Sequence, residues 1–495
     1  MKNRIPAEII LLRDDEGPTL QGQLAAAIVR AILETRARAG TRLPSSRQLA
    51  QALNISRMTV TLVYQELVSQ GYLETLPRSG ISVAATVPHR RLRASGVRRQ
   101  EDKPPDWSGW MSDHGQPRRI IRKPANWRDY RFPFIYGQAD PLLFDHNAWR
   151  DCARRALGTR DFAELAADQY GADDPLLVDY ICSNTLPRRG INARPTEVLV
   201  TMGAQNALFI AVELLARADR LAVTEEPGYP DFAETLRRGH SPTTFLPVDQ
   251  YGLNPEMLPN NTRLIIVTPS HHIPTGATMP LVRRRQLLRR ADELDSLIIE
   301  DDYDFEMSYL APPAPALKSL DASGRVIYIG SFSKSLFPGL RIGYMVASAP
   351  FIARARALRA MMLRHPPSHM QRITAYFLAL GHYDAHIVRL RQSLKGRRAA
   401  LEAAVAKTSM QIEGSAAQGG SSAWVRSEGV DSARLAEHLV KHSVLIEPGQ
   451  VFFEEHQALC PMFRLGYGSI PEGLIADGIS LIEQTANEIR ESGPT

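Results

Sequence analysis

Cysteine is scarce in this chain. The 495 residues contain three, Cys152, Cys182 and Cys460, far apart and in no CxxC pair. That spacing suggests neither a disulfide framework nor a zinc site, and it points to a reducing compartment. Long apolar runs are missing as well. The patch Ile9-Ile10-Leu11-Leu12 is too short for a signal-peptide core and is followed at once by Arg13-Asp14-Asp15-Glu16. No run approaches the ~20 residues that a membrane helix needs, so a soluble, cytoplasmic protein is expected. Repeats at solenoid spacing are absent too.

What is present is length, a 44% hydrophobic composition and an uneven distribution of charge. A chain of this size can bury a large core beside a smaller module, so at least two domains are expected. Residues 1–87 hold ten Lys+Arg against seven Asp+Glu, and residues 88–125 hold ten against four. With a net charge of +6 for the chain, the remainder is mildly acidic. A basic first quarter fits a nucleic-acid module joined to something that is not one.

Helical spacing runs through LQGQLAAAIVRAIL from Leu20, and the spacing predicts a first helix ending near Arg38, before Gly40. Ser45 then caps RQLAQAL, and Asn54-Ile55-Ser56 turns the chain into RMTVTLVYQELVSQG. YLET and ISVAA follow as short extended stretches around LPRSG. Three helices and a hairpin outline an N-terminal winged helix-turn-helix over residues 1–87. Its second helix would enter a major groove, with Ser56, Arg57, Met58, Thr59 and Thr61 near bases or phosphates. Arg47 and Arg78 are placed for phosphate and minor-groove contacts. Residues 88–128, rich in Arg, Pro, Gly and Ser, are assigned to a basic linker, part of which is expected to dock because Trp107 and Trp110 are costly to leave in water.

From residue 129 the pattern changes. VLVTMG, RLAVTEE, RLIIVTPS, SLIIEDDY and RVIYIGSFS are short β-branched runs separated by amphipathic segments. The alternation predicts an α/β domain with a largely parallel sheet, followed by a small α+β lobe over about 385–495. Chemistry in such sheets gathers at the carboxyl ends of the strands. There stand Gly203-Ala204-Gln205 opening a helix, Tyr229 after Pro227-Gly228, Asp301 and Tyr303, and Lys334 with Arg341 seven residues on. A lysine amine for a Schiff base, a carboxylate for a pyridine nitrogen and donors for a phosphate are the needs of pyridoxal 5'-phosphate.

Residues 130–490 resemble a fold-type I aminotransferase domain through YGADDPLLVDYI, VLVTMGAQNAL, EEPGYPDF, TPSHHIPTG, IIEDDYDFE and SFSKSLFPGLRIGY. Residues 18–84 are similar to the GntR-type winged helix through LPSSRQLAQALNISRMTVTLVYQELVSQGYL and the wing LPRSGISV. In this order the two resemble the MocR subfamily of bacterial transcription regulators. The resemblance implies Lys334 as the Schiff-base lysine, Asp301 on the pyridine nitrogen, Tyr303 on the ring hydroxyl and Tyr229 stacked on the ring. Gly203, Ala204, Gln205, Ser331, Ser333 and Arg341 would surround the phosphate. Arg464 in MFRLGYG would grip the carboxylate of an amino-compound effector.

The match departs from working aminotransferases at one point. Pro274-Thr275-Gly276 follows Ser270-His271-His272-Ile273, so an apolar residue replaces the asparagine that commonly precedes this motif. His271 and His272 are candidate effector contacts. The family's GABA-responding type carries an arginine two residues after the stacking tyrosine, where this chain has Asp231. That substitution argues against GABA itself and suggests an effector with another basic or polar group, or with a different acid head such as a sulfonate; amino acids, taurine-like amines and ectoine derivatives are the candidates. The implied function is a regulator that senses an amino compound through aldimine exchange at Lys334. It would act as a homodimer on DNA with repeated half-sites, and the linker is long enough for a domain-swapped arrangement. The alternative is an active aminotransferase with a DNA-binding appendage.

Overall fold

The computed structural model describes residues 10, 19–34, 37–76, 80–86, 107–111, 118–135, 137, 140–414, 418–455 and 459–492. The chain forms two compact units, Met1–Met111 and Ser112–Thr495.

In the first unit, α1 (Leu20–Leu33) is followed by α2 (Ser46–Leu53) and α3 (Arg57–Ser69). Thr19 and Ser45 cap the first two helices, and Ser45 with Gln48 forms a reciprocal capping box. Leu24, Ile28, Leu49, Val60, Val63 and Leu67 make the core at helical spacing. The Tyr64 hydroxyl donates to the Pro44 carbonyl at 2.9 Å, tying α3 to the start of α2. Strands β1 (Leu73–Leu76) and β2 (Gly80–Val83) pair antiparallel as the wing. The first helix stops at Leu33, short of the expected Arg38, because the chain must turn back to the wing. Gly40 and Leu43 donate backbone N–H bonds to Val83 and Ile81, so residues 40–43 edge the hairpin. Trp107 and Trp110 are 63% and 82% exposed.

The second unit opens with β3 (Phe132–Pro133). Eight further strands form one sheet: β4 (Val198–Thr201), β5 (Leu221–Glu226), β6 (Thr243–Asp249), β7 (Gly252–Leu253), β8 (Thr262–Val267), β9 (Leu297–Asp302), β10 (Val326–Ser331) and β11 (Gly343–Val346). Their order is β4-β11-β10-β9-β8-β5-β6-β7, with β6, β5, β8, β9 and β10 parallel and β11 antiparallel to both neighbours. Alternation explains why these runs are apolar throughout. Leu264, Ile266, Ile299, Ile327 and Ile329 face one layer, with helices Ala204–Leu215 and Ala349–Leu363. Ile265, Val267, Ile298 and Val326 face the other, with helix Leu281–Glu293. Each fully buried aliphatic side chain contributes roughly 1.5–3 kcal/mol relative to exposure.

The small lobe carries β12 (Gln411–Glu413), β13 (Ser422–Arg426), β14 (Val444–Leu445), β15 (Glu447–Pro448) and β16 (Met462–Gly466). β12-β13-β16-β15 form a sheet backed by helices His382–Val405 and Glu472–Ser492. The lobe takes in more than the expected 385–495, because β3 pairs parallel with β14. Residues 118–128 also pack with this unit, although their composition had assigned them to the linker. Among the described residues no helix is long and apolar enough to cross a membrane.

Candidate functional site

A cavity of about 260 Å³ lies at the carboxyl ends of the sheet strands. The pleat of β9 decides which of three consecutive carboxylates reaches it. Glu300 and Asp302 point one way, and Asp301 points the other. Glu300 accepts the backbone N–H groups of Leu317 and Lys318, both at 2.7 Å. Asp302 accepts Arg189 Nε and the Tyr328 hydroxyl, both at 2.7 Å. Asp301 lines the cavity, and its Oδ1 is buried with no hydrogen-bond partner among the described residues. Burial, reinforced by the negative Asp302 and Asp304, pushes the Asp301 carboxyl up to about 8.

Lys334 follows β10 and enters the same cavity. Burial, with Arg464 and Lys123 nearby, brings its amine down to about 8. Behind it lies Gly137 at φ +75°, where a Cβ would stand 2.5 Å from Lys334 Nζ. Only glycine lets the backbone pass there. Tyr303 also lines the cavity and donates its hydroxyl to the His271 carbonyl at 3.0 Å. Tyr229, just before helix Pro230–Arg238, donates to Asp231 Oδ2 at 2.9 Å and lines the cavity with it.

At the end of β4 the chain turns at Gly203, φ +78°, and opens helix Ala204–Leu215. The first backbone N–H groups of a helix favour an anion. Ala204, Gln205, Ser331, Ser333 and Arg341 line this end of the cavity. The Ser333 hydroxyl is buried without a partner among the described residues, and Arg341 donates to the Met202 carbonyl at 3.2 Å. Gly203 forms the turn and is not part of the cavity wall. A Cβ there would stand 3.0 Å from the Arg341 guanidinium.

Arg464 occupies the opposite end, on β16. It is buried, donates from Nε to Glu447 Oε2 at 2.6 Å, and sits 4.8 Å from the Phe452 ring centroid. Ile273 is buried in the wall with Tyr303, Trp424 and Phe452.

Two expected effector contacts fall elsewhere. His271 and His272 are buried behind the wall and do not line the cavity. His271 Nδ1 is 2.8 Å from Asp304 Oδ1, and burial, which disfavours the charged ring, is outweighed by Asp304, so its net shift is upward. His272 Nδ1 is 2.8 Å from the Thr275 hydroxyl, and burial drives its ring down to about 3. Both rings serve the loop that carries Ile273. Sequence reasoning missed Ile120, Ile121, Lys123, Leu208 and Glu447 in the wall. Ile120-Ile121 could have been noticed as an apolar pair inside a charged linker, and Glu447 as an acid closing the apolar run VLIEPG.

On the first unit, Arg47, Ser56, Arg57 and Met58 are exposed, with Met58 at 66%, and Thr59 and Thr61 are half-buried. Two hydroxyls have structural partners. Ser56 caps α3 by accepting from the Met58 N–H at 3.1 Å, and Thr61 donates to the Arg57 carbonyl at 2.9 Å. Arg78 lies outside the described residues.

Comparison with known proteins places both units. The description "Aminotransferase class I and II" matches residues 183–469, and "Bacterial regulatory proteins, gntR family" matches residues 20–83. The chain is 48% identical to the HTH-type transcriptional regulator TauR of Rhodobacter capsulatus, over 97% of this chain and 99% of that protein. It is 33% identical to the probable rhizopine catabolism regulatory protein MocR of Rhizobium meliloti, over 78% and 76%. The fold is that of Pyrococcus horikoshii kynurenine aminotransferase, with a TM-score of 0.68, 25% identity, and coverage of 78% and 98%. The chain belongs to the MocR-type transcriptional regulators, in which a GntR-type helix-turn-helix domain precedes an aminotransferase class I/II domain.

Proposed function

We propose that this regulator holds pyridoxal 5'-phosphate at Lys334 and uses it to recognise a small amine bearing an acid group, whose binding changes its affinity for DNA. The observation that carries the reading is the convergence of Lys334, Asp301, Tyr303, Tyr229, Arg341 and Arg464 on one cavity. The residues fit the cofactor. The orphaned Asp301 Oδ1 and Ser333 Oγ are the buried polar atoms such a ligand would satisfy. Lys334 would hold its aldehyde carbon, Asp301 its ring nitrogen, Tyr303 its ring hydroxyl and Tyr229 its ring face. Ala204, Gln205, Ser331, Ser333 and Arg341 would take its phosphate. When bound, the group supplies an electrophilic carbon for amines and a visible absorbance.

The chain's own residues do the selecting. Arg464 presents a guanidinium to the effector's acid group, a geometry lysine cannot copy. Glu447 fixes that guanidinium through Nε. Ile273 and Phe452 exclude water from the same end, which strengthens the charge pairing. The effector therefore combines a primary amine with a carboxylate or sulfonate.

A sensor is favoured over an enzyme by Ile273, since an apolar side chain stands in the wall where aminotransferases commonly place an amide donor. The relatives above that are named as regulators support the same choice. The aminotransferase fold and the exposed Leu142 and Met361, 90% and 80% accessible, support a homodimer acting on two DNA half-sites. Light scattering on the purified protein at micromolar concentration should give twice the chain mass. For the site itself, Lys334→Ala should remove the visible absorbance of the purified protein; a variant that kept it would overturn the assignment.

A further inference from the structure

The cavity wall contains residues that belong by sequence to the linker. The strap 118–124 is pinned just before it reaches the cavity. The backbone N–H groups of Arg118 and Arg119 both donate to the Glu234 carboxylate at 3.2 Å. The Arg119 guanidinium lies 2.5 Å from Glu454, and Arg237 bridges Glu234 and Glu454 at 2.6 and 2.9 Å. One ion network thus joins the strap to the helix that follows Tyr229 and to the lobe segment that follows Phe452. Beyond this pin, Ile121 packs against the cluster of Ile273, Tyr303, Trp424 and Phe452. Ile120 and Lys123 complete the cavity mouth.

Lys123, Arg464 and Glu447 are the charged groups at that mouth, with Asp231 hydrogen-bonded to the Tyr229 hydroxyl nearby. Glu447 is engaged by Arg464 Nε and Asp231 by the Tyr229 hydroxyl, so two cations and two occupied carboxylates meet an incoming anion. Partial burial and Arg464 hold the Lys123 ammonium below the ordinary lysine range, while Glu447 pulls the other way. Lys123 is exposed as a residue and also lines the cavity, which suits it to meet a ligand entering from solvent.

Resting on the reading above, we infer that Lys123 is an effector-binding residue that shares the effector's acid group with Arg464, so that the effector is held in part by the linker itself. Arg464 provides a fixed planar fork and Lys123 a compact mobile charge, a pair that suits a tetrahedral sulfonate as well as a planar carboxylate. Occupancy then tightens a segment that, in sequence, stands between the cavity-forming domain and the winged helix, and that covalent connection carries the coupling.

The test uses the full-length, cofactor-loaded protein titrated by absorbance with 2-aminoethanesulfonate, 3-aminopropanoate and, as an acid-free control, ethylamine. Lys123→Met should weaken both acid-bearing amines by about 5- to 20-fold, the size of a partly solvated charge-assisted contact. It should leave ethylamine binding within about twofold of wild type, and Lys123→Arg should restore the acid-bearing amines to within about twofold. Hydrogen exchange over residues 118–124 should slow on adding an acid-bearing amine to wild type and not to Lys123→Met. Equal weakening of all three amines, no weakening, or wild-type protein that does not prefer acid-bearing amines to ethylamine would overturn the inference. Absence of the cofactor band in wild type would instead sink the reading on which it rests.

Discussion

The floor and the mouth of the cavity are built by different means. The floor comes from strand ends: Ala204 and Gln205 after β4, Asp301 at β9 and Lys334 after β10 arrive by the simple fact that parallel strands end on one side. The mouth is assembled from distant pieces, with Ile121 and Lys123 from the strap, Tyr229 from the turn after β5, and Glu447 and Arg464 from the small lobe. The strand ends position the floor's side chains, whereas the mouth is complete only when strap and lobe meet. The floor is therefore suited to holding a group permanently, and the mouth to registering what comes and goes.

This contrast can be broken by substitutions on either side. The largest effect is expected at the floor, where Lys334→Ala should abolish the visible absorbance outright while far-ultraviolet circular dichroism stays native. At the mouth, Arg464→Lys should retain that absorbance and lose about 10- to 100-fold in affinity for acid-bearing amines, the worth of a desolvated charge-assisted contact. A loss of cofactor in Arg464→Lys would mean the two regions are not separable.

On the first unit, Arg57→Ala should raise the Kd for an operator duplex by about 10- to 100-fold at fixed salt, with the amine-induced spectral change intact. The pH dependence sharpens the account of the floor. With Lys334 brought down from 10.5 to about 8, the neutral, nucleophilic amine accumulates as pH rises through about 8. The rate at which cofactor-free protein takes up pyridoxal phosphate should climb over pH 7–9 and level off there. A rate still climbing steeply at pH 10 would remove the burial argument. Smallest of all, Ser45→Ala should cost ~1 kcal/mol at the α2 cap, read as roughly fivefold faster hydrogen exchange of α2 amides.

Legibility in the sequence follows the same division. Strand runs such as SLIIEDDY and RVIYIGSFS announce themselves because a sheet covered on both faces requires apolar residues at every position. Three strands were missed for physical reasons. β6, TTFLPVD, lies partly exposed near the sheet edge and carries a proline, and β7 has only two residues. β11 begins at the end of SFSKSLFPGLRIGY, where the chemistry of Lys334 and Arg341 draws attention from the strand, and runs on to Val346. The floor residues sit in linear motifs and were readable one by one. Lys123 and Glu447 were not, since their meaning lies in a spatial meeting with Arg464 across more than 300 residues and 17 residues of chain, respectively. The histidine pair shows the opposite error: His271 and His272 flank a cavity-lining residue in sequence, yet the backbone turns their rings inward to Asp304 and Thr275.

The account's central claim is that the aminotransferase-like unit reads an amine and reports it to DNA. It is tested most directly by following one sample in two channels. Cofactor-loaded protein would be mixed with a fluorescent duplex selected by the wild-type protein from a random library, then titrated with acid-bearing amines in the presence of an α-keto acid. The account predicts a saturable absorbance change at one amine per chain, a parallel change in DNA affinity, and no sustained production of amino acid from the keto acid. Steady turnover with DNA affinity unmoved would contradict it.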